Sequence, residues 1–374
     1  MSQSQQSAGN APRPAWSFRI ATVAGIPIRI HFTFMLFLAW IGLAGGSNGG
    51  YTWTLFILAI FFCVVLHELG HALVAKRLGV NTRDITLYPI GGVAMLDSRP
   101  QPRQELWIAL AGPAVNVVLA VLITIAILIR YGGIPPMGKN LQNMSFLEAL
   151  LIANLTLAIF NMIPAFPMDG GRVLRAALGL AMPEAKATQI AGGIGQGLAV
   201  LLGIVGLFTQ GYILMLIAFF VFIGASQEIS ATVTRSFLHG HVISDAMQTS
   251  FRTITSGESL DGAANLMIHG SQHDFPVMNG DEIIGVLTRN QIAQGLAADG
   301  RSGYVAGWML RDFKTANPNI PLEQAMEMFP QADPTPILVM EGDQLLGMVT
   351  MENLSEFVML EHAKAQSRQS RAAT

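Results

Sequence analysis

Charge is scarce in this sequence, and that scarcity sets the first limits. Of 374 residues only 12% are Asp, Glu, Lys or Arg, while 51% are hydrophobic and mean hydropathy is +0.46. Soluble chains carry about a quarter charged residues, so a wholly water-exposed protein is excluded. The net charge of −2 leaves no basic surplus and argues against a nucleic-acid partner. A single cysteine, Cys63, rules out an internal disulfide. The opening MSQSQQSAGNAPRPA lacks the apolar core of a secretory signal, and residues 1–14 are expected to form a disordered cytoplasmic arm.

What is present is hydrocarbon in long runs. Up to about residue 235 apolar stretches alternate with short polar loops; beyond it the composition turns soluble. A spanning helix needs roughly 20 apolar residues. The candidates are 31–46, 52–79, 105–130, 146–163, 190–208 and 212–230, six in all, the first of them short. With the N-terminus inside, the cytoplasmic segments hold Arg13, Arg19, Arg29, Lys76, Arg77, Arg83, Arg99, Arg103, Arg172, Arg175, Lys186 and Arg235, and the external loops only Arg130 and Lys139. The positive-inside rule therefore predicts a multi-pass protein of the cell membrane with both termini, and the soluble C-terminal part, in the cytoplasm.

Within the second run stands VVLHELGHALV, residues 64–74. On a helix His67 and His71, at i and i+4, share one face, a spacing that suits two nitrogens on one zinc ion. Glu68 follows His67 directly, where a carboxylate can take a proton from water. Ionisable groups inside a membrane are costly and rarely kept without a function. Lys76 and Arg77 should mark the cytoplasmic interface. At about 1.5 Å per residue, His71 lies roughly 7 Å and His67 roughly 14 Å inside it.

A catalytic zinc site wants a third protein ligand. The strongest further candidate lies in NMIPAFPMDGGR, residues 161–172. Pro164 and Pro167 end the fourth apolar run, and Gly170 and Gly171 permit a tight backbone beyond it. Irregular backbone at membrane depth is tolerated where it lines a protein cavity, so Asp169 reads as an inward-facing carboxylate at the His71 end. The same position suits the N-cap of the helix GRVLRAALGL, and the two roles are compatible.

HELGH in one spanning helix with NxxPxxPxDGG in a later one resembles the site-2 protease family of intramembrane zinc metalloproteases. The likeness extends to Ala111-Gly112-Pro113-Ala114-Val115-Asn116, similar to the family's AGPxxN stretch. It implies that His67, His71 and Asp169 hold one zinc ion, that Glu68 is the catalytic base, and that Asn161 helps to hold the oxyanion. It also implies a membrane-embedded or membrane-tethered protein substrate, surrounded by lipid, cut near the cytoplasmic face.

Three features beside this core carry more than one reading. Residues 83–96, RDITLYPIGGVAML, alternate loosely between Gly and Pro and are expected to form a membrane-dipping β-hairpin. Its edge either pairs with an extended substrate or merely packs on the bundle. Asn116 is read as a hydrogen-bonding tie between helices rather than a catalytic group. Cys63, one turn before His67, is read as core rather than ligand.

The soluble part repeats itself. PVMNGDEIIGVLT, residues 276–288, returns 62 residues later as LVMEGDQLLGMVT, residues 338–350, and the same offset carries Met247 to Met309, Phe251 to Phe313, Thr253 to Thr315 and Leu260 to Leu322. A constant offset over such a length is duplication. Each unit resembles a CBS motif, so residues 241–300 and 301–362 are expected to form one cytoplasmic α/β CBS pair after a membrane protease domain at 15–235, with 363–374 as a disordered tail. The resemblance implies an adenine nucleotide between the units and dimerisation of the module. Thr288 and Thr350 stand where the family holds a ribose, but Gln291 and Asn353 replace the Asp expected three positions on. Neutral amides bind a hydroxyl more weakly than a carboxylate.

The expected fold is thus an α-helical polytopic membrane protein of about six transmembrane helices with a membrane-associated β-hairpin, followed by the CBS pair. A transporter carrying regulatory CBS domains would spread polar residues through several spans, whereas here they gather at HELGH and around Asp169. A proteolytically dead scaffold would have lost Glu68 or a ligand. Short external loops leave no room for a PDZ-like insert.

Overall fold

The computed structural model describes residues 16–44, 50–89, 91–133, 144–329 and 335–373. The arm expected at 1–14, with Arg13, and the loop residue Lys139 lie outside them. The chain forms two compact units, Met1–Thr232 and Val233–Thr374.

In the first unit each of the six apolar runs is helical: α1 (Phe32–Ala44), α2 (Gly50–Arg77), α3 (Pro102–Tyr131), α4 (Phe146–Asn161), α6 (Glu184–Phe208) and α7 (Tyr212–Leu238). A shorter helix, α5 (Asp169–Gly179), follows the Pro-rich turn. Four of these are long and apolar enough to cross a membrane: residues 53–77 of α2, with α3, α6 and α7. Helices α1 and α4, of 13 and 16 residues, reach only about 20 and 24 Å at about 1.5 Å per residue. Two of the six apolar runs, the first of them already short in the sequence, thus form helices shorter than a full crossing. Large side chains such as Val118, Leu122 and Ile125 on α3, Leu201 and Phe208 on α6, and Phe219 and Phe220 on α7 are exposed. Apolar surface on this scale, on helices long enough to span, is a membrane-facing surface. The chain is a membrane protein.

Helix α3 lies against α2, α4 and α5, and small residues let it approach. A Cβ on Gly70 of α2 would stand 2.8 Å from Val115 Cγ2 and 3.0 Å from the Ala111 carbonyl oxygen. Close backbone approach of this kind is how helices associate where the hydrophobic effect cannot drive them together.

A four-stranded sheet, ordered β1-β2-β3-β4, flanks the helices. Strands β1 (Ser17–Val23) and β2 (Ile26–His31) form one antiparallel hairpin, β3 (Thr82–Tyr88) and β4 (Gly91–Leu96) the other, and β2 runs parallel to β3 with Ile28 opposite Ile85. The hairpin expected over 83–96 is thus β3–β4, with Ile90 outside the described residues. The β1–β2 hairpin has no counterpart in the sequence reading. Ile26, Ile28 and Ile85 seal the sheet against Leu69 and Ala72 of α2.

The second unit holds the duplication. After β5 (Ile254–Thr255) come α8 (Leu260–His269), β6 (Phe275–Asn279), β7 (Glu282–Leu287) and α9 (Arg289–Asp299). After the short α10 (Val305–Trp308) the order recurs as β8 (Lys314–Ala316), α11 (Leu322–Met328), β9 (Ile337–Glu341), β10 (Gln344–Val349) and α12 (Met351–Ala373). Each half is a three-stranded sheet with its own apolar core. The halves exchange backbone contacts reciprocally. Val286 and Leu310 trade N–H···O bonds of 2.9 and 2.8 Å, and Gln248 and Met348, related to them by the 62-residue offset, trade bonds of 2.8 and 3.1 Å. Helix α12 continues to Ala373, so the segment read as a disordered tail is helical up to that residue.

Candidate metal centre

Three side chains from two distant segments converge. His67 and His71 lie one turn apart on α2, and Asp169 is the first residue of α5. The Nε2 atoms of the two imidazoles are 3.0 Å apart, and each is 3.1 Å from Asp169 Oδ2. All three residues are buried. Met168, not Asp169, occupies the N-cap of α5, so the carboxylate is directed at the imidazoles instead of its own helix.

The opposite edges of the two rings are held. His71 Nδ1 is 2.6 Å from the Ile108 carbonyl oxygen. A carbonyl only accepts, so Nδ1 carries the proton and Nε2 presents a bare lone pair. His67 Nδ1 is 2.5 Å from Asn116 Oδ1 on α3, and Asn116 Nδ2 donates at 3.0 Å to Asn154 Oδ1 on α4. Gly112 of α3 completes the cradle. A Cβ there would stand 2.2 Å from His71 Nε2 and 2.6 Å from His67 Nε2. Lone pairs and a carboxylate oxygen crowded this closely repel one another unless a cation lies among them. Two imidazole nitrogens and one carboxylate oxygen are the donor set of a catalytic zinc site. The residues fit the ion.

Glu68 faces the sheet. A Cβ on Gly92 of β4 would come within 2.7 Å of its Cγ and 3.5 Å of its Oε1, so the start of β4 lies against the Glu68 side chain. Arg172 Nη1 stands 3.7 Å from Asp169 Oδ1 and its Nε 3.9 Å from Glu105 Oε1. One turn further along α5, Arg175 is buried between Glu105 of α3, to which Nε donates at 3.1 Å, and Glu228 of α7. Arg99 continues this cluster to Glu228 at 3.4 Å and Glu184 at 2.8 Å. Gly170 and Gly171 allow α5 to start against the preceding turn: a Cβ on either would meet backbone of residues 162–166 at under 3 Å.

Comparison with known proteins decides the family. The model of peptidase family M50 matches residues 55–144 and 138–202, and the CBS domain model matches 243–298 and 305–360. The zinc metalloprotease MJ0392 of Methanocaldococcus jannaschii is 33% identical over 339 residues, spanning 91% of this chain and 95% of that one. The chain belongs to peptidase family M50, the site-2 proteases. This M50 peptidase is also similar to the solved site-2 protease from Methanocaldococcus jannaschii, with 42% identity, a TM-score of 0.44, and coverage of 57% of this chain and 95% of that one. Its C-terminal part is similar to the CBS domain-containing protein YhcV of Bacillus subtilis, 28% identical over 115 residues, 30% of this chain and 82% of that one. The family makes this chain a zinc metalloprotease of the membrane.

Among the residues singled out in the M50 sequence, the structure brings His67, His71 and Asp169 together. Asn161 closes α4, half-buried, and its side chain makes no hydrogen bond among the described residues. Asn116 does tie helices, as expected, but it also holds His67. Cys63 is buried core, with Sγ 3.4 Å from Asn154 Nδ2. In the CBS pair, the Thr288 hydroxyl donates to Gln291. Thr350 N–H and hydroxyl both donate to Asn353 Oδ1 at 3.0 Å, and Asn353 N–H returns a bond at 3.1 Å to Thr350 Oγ1. Both pairs sit at helix starts, of α9 and α12; the Thr350–Asn353 pair caps backbone N–H groups there, whereas Thr288 makes no side-chain cap bond at the start of α9. Asn154 escaped the sequence reading. Its only signal was an amide within the apolar stretch FLEALLIANLTLAIF.

Proposed function

We propose that this M50 peptidase hydrolyses a peptide bond of a membrane-embedded or membrane-tethered protein near the cytoplasmic face, with His67, His71 and Asp169 as the ligands of one zinc ion. The convergence of three buried ligand atoms, 3.0–3.1 Å apart, carries this reading. Bound zinc supplies Lewis acidity that polarises the scissile carbonyl and acidifies water. Glu68 takes the proton of the attacking water and returns it to the leaving amine. Asn161, whose amide has no hydrogen-bond partner among the described residues, donates to the oxygen on which negative charge develops. A helical substrate must unwind first, because each of its carbonyls is shielded by its own hydrogen bond. Strand β4, at the edge of the sheet and beside Glu68, offers the unwound segment a strand to pair with.

The membrane domain spans residues 15–235, with both termini in the cytoplasm. The CBS motifs at 241–300 and 301–362 bind an adenine nucleotide through Thr288, Gln291, Thr350 and Asn353, pair two copies of the chain, and adjust proteolysis.

The test uses purified full-length protein in detergent and a single-span model substrate. His67→Ala, His71→Ala and Asp169→Ala should each lose zinc and cleavage, and the cut in the wild type should map to the cytoplasmic third of the span. Full zinc content in all three variants would refute the ligand assignment. ATP or AMP should bind the wild type and change its rate; no binding at millimolar nucleotide would refute that role.

A further inference from the structure

We infer that Asn154 is a positioning residue for the metal centre, setting the tautomer of His67 through Asn116. The inference rests on the zinc reading above. An asparagine amide can point either way, so a chain of amides ordinarily has no fixed direction. Here one end is a backbone carbonyl. Asn154 Nδ2 is 2.9 Å from the Leu150 carbonyl oxygen, which can only accept, so the Asn154 amide nitrogen lies on that side. Its Oδ1 therefore faces Asn116 and accepts from Asn116 Nδ2 at 3.0 Å. Asn116 in turn presents Oδ1 to His67 Nδ1 at 2.5 Å, and that nitrogen must donate. The proton of the neutral ring is fixed on Nδ1 and the lone pair on Nε2, the atom that faces His71 and Asp169.

The relay crosses three helices, from α4 through α3 to α2, and both asparagines are fully buried. Its polarity originates at Leu150, four residues and one turn before Asn154 on α4. His71 needs no such device, because the Ile108 carbonyl bonds its Nδ1 directly. Without Asn154, the Asn116 amide is free to rotate and offer its NH₂ to His67 Nδ1. That would move the ring proton to Nε2 and remove the lone pair a metal ligand requires.

The experiment measures zinc affinity of the full-length protein in detergent by competition with a chelator of known affinity. Residues that orient a metal-bound histidine typically contribute about 10- to 100-fold in affinity, and Asn154→Leu should lose that much. The deciding variant is the double substitution Asn116→Asp with Asn154→Leu. A carboxylate only accepts, so no rotation can present a donor to His67, and affinity should return to within about threefold of wild type. If Asn154 merely ties helices, the double variant adds a buried charge to a lost contact and binds no tighter than Asn154→Leu; that result overturns the inference. So does Asn154→Leu binding zinc like the wild type. Asn154→Ser, too short to bridge Asn116 and Leu150, carries the same expectation if the leucine variant is not monodisperse. A wild type that binds no zinc overturns the metal reading, and the relay with it.

Discussion

Gly112→Ala offers a sharp test of the cradle, because the added atom is one methyl carbon in a known place. It would stand 2.2 Å from His71 Nε2, 2.5 Å from His71 Cε1 and 2.6 Å from His67 Nε2, about 0.8–1.2 Å short of the 3.4 Å at which ordinary contact begins. Neither ring can swing aside freely, since each is bonded at its far edge to Ile108 or Asn116. The ligand nitrogens must therefore be displaced by about an ångström, a misplacement that costs on the order of 100-fold in catalysis. Overpacking should also lower stability by about 1–3 kcal/mol. A control lies on α6. A Cβ at Gly197 meets nothing within 4 Å, so Gly197→Ala should stabilise its helix by about 0.5–1 kcal/mol and leave cleavage unchanged. Zinc content, cleavage rate and thermal unfolding would be measured on both variants. If Gly112→Ala binds zinc and cleaves like the wild type, the imidazoles do not sit against α3 as described.

Two further outcomes follow from buried charge. Arg175→Met removes the hydrogen-bonded partner of the buried Glu105 carboxylate, leaving only Arg172 at 3.9 Å, and should destabilise the membrane domain by about 3 kcal/mol. Adding Glu105→Leu should recover most of that loss in thermal unfolding, and equal instability of the single and double variants would contradict the pairing. In the CBS pair, burial pushes the Asp274 carboxyl above its ordinary value of 3.8, opposed by an N–H bond from Arg289. A raised carboxyl pKa contributes stability at low pH that is lost as pH rises through the folded value. Asp274→Asn should therefore gain in melting temperature over wild type as pH increases from about 4 to 7; a constant difference across that range would refute it.

What the sequence made legible tracks what is costly to keep. Ionisable residues inside hydrocarbon demand a reason, and HELGH declared its own; two prolines and two glycines marked the turn that delivers Asp169. The 62-residue offset revealed the duplication, though not the reciprocal exchange of backbone bonds between its halves. Other features depend on distance in space. The parallel pairing of Ile28 with Ile85 joins strands far apart in the chain, and β1 and β2 alternate too weakly to announce it. Arg175 counted as an orienting cytoplasmic charge, yet it lies buried against Glu105. Asn154 gave a lone amide with no hint of which helix it faces. Hydropathy located α1 and α4 but ran two residues past the end of α4, because Met162 and Ile163 in the following turn are apolar too.

The most direct test of the account is to separate zinc from catalysis at Glu68. Glu68→Gln preserves the size of the side chain and leaves His67, His71 and Asp169 in place, while removing the group assigned to carry the proton. Zinc content and cleavage of a membrane-embedded substrate would be measured side by side with the wild type. The account predicts one zinc per chain in both proteins and a loss of cleavage of about 100-fold or more in the variant. Cleavage by Glu68→Gln at the wild-type rate, with zinc retained, would contradict it.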